Sequence, residues 1–186
     1  MEFLLKNKDY NFIECSSVKS FEKRNNIYFP GKIVGRKLWQ KVTKNFLIYI
    51  TGGWNYTFSI LKRKAPNGVD YYFGSSWWCL NQETTFWICD YLKDYPQYMK
   101  FFKASLCADE CFFQTLVMNS PFSECVKPYL HFIKWEEGKS SPKTLGVDDI
   151  YDLLKSQKML ARKFDIDMDM EVIREINLIL SNRKDK

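Results

Sequence analysis

Hydrophobic and polar positions along this chain follow two rhythms, one suited to strands and one to helices. Residues 10–14 (YNFIE) read as a short strand. Asp70 to Leu80 is strand material that enters a Gly-Ser turn at Gly74-Ser75-Ser76. A helix begins near Gln82, with Phe86, Trp87, Ile88, Tyr91 and Leu92 on a broad apolar face, and Pro96 stops it. Asp109 reads as the N-cap of a second helix, with Phe112, Phe113, Leu116 and Val117 on one face. Tyr129 to Trp135 alternates as a strand does. A helix capped near Asp148 follows, with Ile150, Leu153 and Leu154 inward. The last helix runs from about Asp169 to Ser181, with Val172, Ile173, Ile176 and Ile179 or Leu180 on its face. Two stretches resist assignment. Residues 19–44 are basic, with a Pro30-Gly31 turn, and Phe46 to Leu61 is aromatic and β-branched but broken by Gly52-Gly53.

This order of strands, helices, a strand and further helices predicts an α/β fold without clean βαβ alternation. There is no repeat and no Gly-rich phosphate loop. Met1 falls directly before strand-like sequence. The expectation is a single domain over residues 1–186 that forms the C-terminal portion of a larger catalytic domain, its N-terminal strands missing.

Composition narrows the function. The 17% aromatic content, with 15 Phe, 11 Tyr and 6 Trp, suits an aromatic core or a pocket that stacks on flat ligands or sugar rings. A net charge of +6 favours an anionic ligand or surface, whether nucleotide sugar, nucleic acid or acidic lipid. No nucleic-acid-binding signature accompanies it, so we expect no nucleic-acid partner. Of the six cysteines, Cys79 and Cys89 read as buried thiols in apolar surroundings. Cys107 and Cys111 lack a second pair, and His131, the only histidine, lies too far on for zinc spacing. A reducing compartment follows. The longest apolar run is Phe46 to Ile50, and Lys6, Lys8 and Asp9 interrupt the N-terminus at once, so neither a membrane span nor a signal peptide is expected. These features point to a cytoplasmic protein or one peripheral at the inner face of a membrane.

Several residues can carry chemistry. Glu110, beside Asp109 at a helix mouth, would be held ionised by the helix dipole and could take a proton from an attacking hydroxyl. The plain alternative is an acidic residue in a first turn. Arg162 and Lys163, between Leu160 and Phe164, suit a diphosphate leaving group, or else mark a basic helix end. Lys139 and Lys143 flank Ser140-Ser141-Pro142, a loop that could hold phosphate or be merely solvated. Trp77, Trp78 and Trp135 could wall a sugar site. In a strand, adjacent side chains face opposite ways, so one of Trp77 and Trp78 would line a cleft and the other enter the core. Asp165, Asp167 and Asp169 (DIDMD) could suggest a divalent ion, but the run sits where a helix N-cap belongs.

Four blocks, in order, carry a resemblance: GSSWWCLNQE from Gly74, ADECFFQTL from Ala108, FIKWEEGKSSPKTL from Phe132 and LARKFD from Leu160. Together they resemble the core-2/I-branching β-1,6-N-acetylglucosaminyltransferase family, over roughly residues 70–180 and more faintly from Tyr10. The resemblance implies a nucleotide-sugar-binding, GT-A-like fold and an inverting, metal-independent transferase. It would move a sugar, N-acetylglucosamine by this likeness, from a UDP-sugar to a glycan hydroxyl. By the same resemblance Glu110 matches the catalytic base, Lys163 a diphosphate-binding lysine, with Arg162 beside it, and Lys143 lies near a second basic position usually held by Arg. Trp135 matches an acceptor-side aromatic, and Glu14 an acceptor-binding acid. No cofactor or metal is implied, since the UDP-sugar is a co-substrate. The strands that hold uridine in the family have no counterpart here, so a partner chain supplying them is one expectation. A non-catalytic carbohydrate- or partner-binding remnant of the fold is the alternative.

Overall fold

The structure, a computed structural model, describes residues 2–17, 38–50, 69–103, 105, 108–139 and 141–184. The Pro30-Gly31 turn, the Gly52-Gly53 break, Cys107 and Ser140 lie outside the described residues. The architecture is mixed helix and strand, as α/β predicts, with two small parallel sheets among the described residues. The chain divides into two compact units, Met1–Tyr129 and Leu130–Lys186.

In the first unit, α1 (Glu2–Lys6) precedes β1 (Asn11–Phe12), so the chain opens on a helical turn rather than on a strand. Helix α2 (Leu38–Ile50) takes in the start of the ambiguous Phe46–Leu61 stretch. Then come α3 (Gln82–Asp94), α4 (Pro96–Phe102), a 3-10 turn (Ala108–Glu110), α5 (Phe112–Met118) and β2 (Val126–Lys127). Strands β1 and β2 pair in parallel, Asn11 opposite Val126 and Phe12 opposite Lys127. Helix α3 starts where expected because Asn81 Oδ1 accepts the Thr84 N–H at 2.7 Å. Buried Asn11 ties β1 to that cap, donating to Thr84 Oγ1 and accepting from the Asn81 N–H. Pro96 does end α3, but it also occupies the first turn of α4, where a missing N–H costs nothing. Helix α4 supplies Tyr98, Phe101 and Phe102 to the core, which they share with Ile13, Tyr71, Ile88, Cys111, Leu116 and Val117. The Tyr98 hydroxyl donates to the Phe112 carbonyl at 2.8 Å and seats α4 against α5.

Two burial expectations fail here. Phe86 is 60% exposed, because the inward face of α3 centres on Thr84 and Ile88. Cys79 and Cys89 are exposed free thiols: each adjoins an inward residue, Trp78 in extended chain and Ile88 on the helix, and therefore faces away.

In the second unit, β3 (His131–Ile133) pairs in parallel with β4 (Leu160–Arg162), in the register His131–Leu160, Phe132–Ala161 and Ile133–Arg162. A 3-10 turn (Val147–Asp149) leads into α6 (Ile150–Lys155), and α7 (Met170–Lys184) closes the unit. The cap before α6 involves Asp149 rather than Asp148: its carboxylate accepts the Gly146 N–H at 3.0 Å. Leu154 is exposed, while Ile150 and Leu153 are half-buried. Asp169 caps α7, its Oδ1 accepting the Val172 N–H and its Oδ2 the Val147 N–H. On α7, Val172 is buried and Ile179, not Leu180, turns inward.

Candidate active site

In the first unit, the extended segment 70–75 is held on both edges. Along one edge, Ser16 and Phe73 exchange backbone hydrogen bonds of 2.8 and 3.0 Å. Along the other, polar groups from α5 and its ends take the place of a strand. Asn119 Oδ1 accepts the Asp70 N–H and its Nδ2 donates to the Asp70 carbonyl. The Thr115 hydroxyl accepts the Tyr72 N–H and donates to the Tyr72 carbonyl, both at 3.1 Å. Gln114, wholly buried, donates from Nε2 to the Ser75 carbonyl at 2.7 Å. Every polar backbone group so engaged escapes the cost of burial without a partner.

This zipper ties two of the anticipated residues to one dipeptide, Glu14 by its carboxylate and Glu110 by its backbone carbonyl. The Gly74 N–H donates to the Glu110 carbonyl at 2.9 Å, and the Ser75 N–H donates to Glu14 Oε2 at 2.9 Å. Gly74 has a packing reason to be glycine: a Cβ there would sit 1.8 Å from the Glu14 carbonyl oxygen. Both Glu14 and Glu110 are half-buried. The negative charge of Glu14 adds to burial in raising its neighbours. The Cys15 thiol is pushed up to about 12, and the Tyr129 phenol also moves up. A thiol held there stays protonated at neutral pH and is no nucleophile.

Glu110 is not in the first turn of an α-helix. It closes the Ala108–Glu110 3-10 turn, Asp109 is exposed there, and Cys111 occupies the N-cap of α5 without a side-chain cap bond. The Glu110 carbonyl is turned to the 70–75 edge, where it accepts the Gly74 N–H. Trp78 packs on Phe113 with ring centroids 4.4 Å apart, while Trp77 is 45% exposed, so the pair splits between core and surface.

In the second unit the remaining anticipated residues gather at the C-terminal ends of β3 and β4. Parallel pairing places Ile133 beside Arg162, so Lys134-Trp135 and Lys163 leave the sheet at the same end. The loop from Lys143 crosses both: the Lys143 N–H donates to the Lys134 carbonyl and the Leu145 N–H to the Lys163 carbonyl, each at 2.8 Å. Trp135 is 58% exposed, just past the strand in which it was expected.

Lys134 and Lys143 differ from Lys163 in their partners. Asp149, 2% exposed, accepts from Lys143 Nζ on both oxygens and from Lys134 Nζ at 2.9 Å, and Lys134 also bonds Asp152. Burial would raise the Asp149 carboxyl, but Lys143, the Gly146 N–H and Lys134 outweigh it and hold the group at about 2. Lys134 is raised correspondingly by its hydrogen bonds to Asp152 and Asp149. Lys143 therefore lies in an internally neutralised cluster. Its surrounding cavity of about 290 Å³ is lined also by Asp148, Asp149 and Asp169. Lys163 is exposed, and among the described residues its ammonium makes no ion pair. Among the described residues no group of three His, Cys, Asp or Glu is placed to hold a metal ion.

Sequence reasoning missed Gln114, Thr115 and Asn119 as anchors of the 70–75 segment, and Asp149 as the buried hub. The available signal was a Gln-Thr pair inside the otherwise apolar FFQTLVM helix.

The family model for the core-2/I-branching enzyme matches residues 6–157, a span that contains Glu14, Gly74, Ser75, Glu110, Gln114, Trp135 and Lys143. The chain belongs to the core-2/I-branching enzyme family. Members of this glycosyltransferase family take a sugar from a donor to a glycan acceptor, and the chain is accordingly a glycosyltransferase-family protein. Arg162 and Lys163 lie beyond the matched span. A search of curated proteins found no match to the chain. Among the described residues no helix is long and apolar enough to cross a membrane.

Proposed function

We propose that this core-2/I-branching protein is an inverting transferase that moves N-acetylglucosamine from its UDP-sugar to a glycan hydroxyl with Glu110 as base. The observation that supports this reading is that Gly74-Ser75 tethers both residues, Glu14 through its carboxylate and Glu110 through its backbone carbonyl. In the reaction, the acceptor oxygen attacks the anomeric carbon from the face opposite the leaving group. Glu110 takes the hydroxyl proton as the new C–O bond forms. The bond from the anomeric carbon to the diphosphate breaks, and its electron pair leaves with UDP. By the family resemblance Glu14 is an acceptor-binding acid, suited to hydrogen bonding to hydroxyls, and Trp135 an acceptor-side aromatic, suited to stacking on a ring face.

The charge that accumulates on the departing diphosphate is met by Lys163 and Arg162. Lys143 plays the lesser part, because Asp149 already balances its charge. On this account cationic side chains take the role that a divalent ion has in other transferases. Product formation from UDP-N-acetylglucosamine in the presence of EDTA tests it. Undiminished transfer is expected. Complete loss on chelation, restored by Mn²⁺, would return Asp165 and Asp167 to consideration as ligands.

A further inference from the structure

Helix α2 presents an apolar stripe to solvent. Trp39, Val42, Phe46 and Tyr49 are 55, 61, 62 and 83% exposed. Their spacing of three, four and three residues keeps them within about 80° of helical arc, since each residue turns 100°. Four large apolar side chains on one helical face are more than the scattered exposure normal for a surface. Lys41, on the opposite side of the helix from Trp39, is exposed as well.

The stripe lies in a tract of unusual charge. Residues 23–69 hold ten of the chain's 28 Lys and Arg and none of its 22 Asp and Glu. Lys37, Lys41 and Lys44 fall in or next to α2 itself. Outside the tract acidic residues outnumber basic ones, so the protein's net positive charge originates here.

We propose that α2 docks the protein on an anionic lipid surface, lying in the interface with Trp39, Val42, Phe46 and Tyr49 among the acyl chains. Such a helix combines an aromatic and aliphatic face with a cationic polar face, and both parts contribute to binding. At 13 residues it is about 20 Å long, enough to lie in the interface and too short to span. The charge also decides against a second copy on the same stripe. Two acid-free, strongly cationic tracts would face each other with no carboxylate between them. A nucleic acid would answer the charge, but a phosphate backbone gives Val42 and Phe46 nothing to bury against. Docking would hold the transferase at a membrane surface, yet its test needs no enzymatic activity, so it fails or stands apart from the reading above.

The experiment is co-sedimentation of the full chain with vesicles of phosphatidylcholine alone and with vesicles of equal parts phosphatidylcholine and phosphatidylglycerol. We expect binding only to the anionic vesicles, weakened about tenfold or more on passing from low to physiological salt. The double variant Trp39→Ser/Phe46→Ser removes exposed side chains and should release the protein while leaving its circular dichroism unchanged. Lys41→Glu should weaken binding with the stripe intact. Equal binding to neutral vesicles, or none to either, overturns the proposal. So does a stripe-dependent dimer in sedimentation equilibrium, or retention of single-stranded nucleic acid without vesicle binding.

Discussion

At the scale of single residues, the acidic site depends on Gly74. The Glu14 backbone lies where an alanine Cβ would go, and backbone cannot step aside as a flexible side chain can. Gly74→Ala should therefore cost about 3 kcal/mol, the upper end for overpacking, and should weaken acceptor binding by moving Glu14. Thermal melting and acceptor titration check both parts, and an alanine variant that melts with the wild type would remove Gly74 from this role. The sequence marked Gly74-Ser75 as a turn and singled out Glu14 and Glu110 through the family resemblance. It could not show that the two meet at that turn. That meeting depends on Gln114, Thr115 and Asn119, whose side chains replace a strand, and side-chain-to-backbone pairing leaves no periodic trace.

At the scale of elements, the second unit is pinned through the turn before α6. Asp149 gathers Lys134 from the end of β3, Lys143 from the loop and the Gly146 N–H around one buried carboxylate. Its folded carboxyl sits at about 2, below the ordinary 3.8, so an unfolded chain binds more protons between those values. The stabilisation is complete above about pH 4 and is lost as pH falls toward 2, an effect of about 2 kcal/mol. His131 adds to acid sensitivity at higher pH. Burial, with Arg162 and Lys158, lowers its affinity for a proton, so acidification below its ordinary range favours the unfolded chain. Asp149→Asn should abolish the low-pH limb and cost about 3 kcal/mol at neutral pH, because two lysines lose their buried partner. Urea unfolding across the acid range measures both, and a variant with unchanged acid dependence would contradict the assignment. Elements with strong local signals were legible: the start of α3 near Gln82, the start of α7 at Asp169, and the Tyr129–Trp135 alternation that contains β3. Helix α4 was hidden because Pro96 both stops one helix and starts the next.

At the scale of the molecule, family membership and geometry support one reading from different directions. The family model covers residues 6–157, and within that span the zipper of segment 70–75 gives Glu14 and Glu110 a common anchor. The basic groups at the ends of β3 and β4 form a second cluster, of which Lys163 keeps its charge uncompensated among the described residues. Whole-chain charge says only that cations are in excess; their concentration in residues 23–69 is visible along the sequence, and the exposure of α2 only in the structure. The account rests most heavily on Glu110 as the base. The direct measurement is transfer of labelled N-acetylglucosamine from UDP-N-acetylglucosamine to a panel of glycan acceptors, by the wild-type protein and by Glu110→Gln, with UDP binding followed in parallel. The account predicts product from the wild type and a rate about 10²- to 10⁴-fold lower in the variant, with UDP affinity little changed. Near-normal turnover by Glu110→Gln, or no product from the wild type with any acceptor, would contradict it.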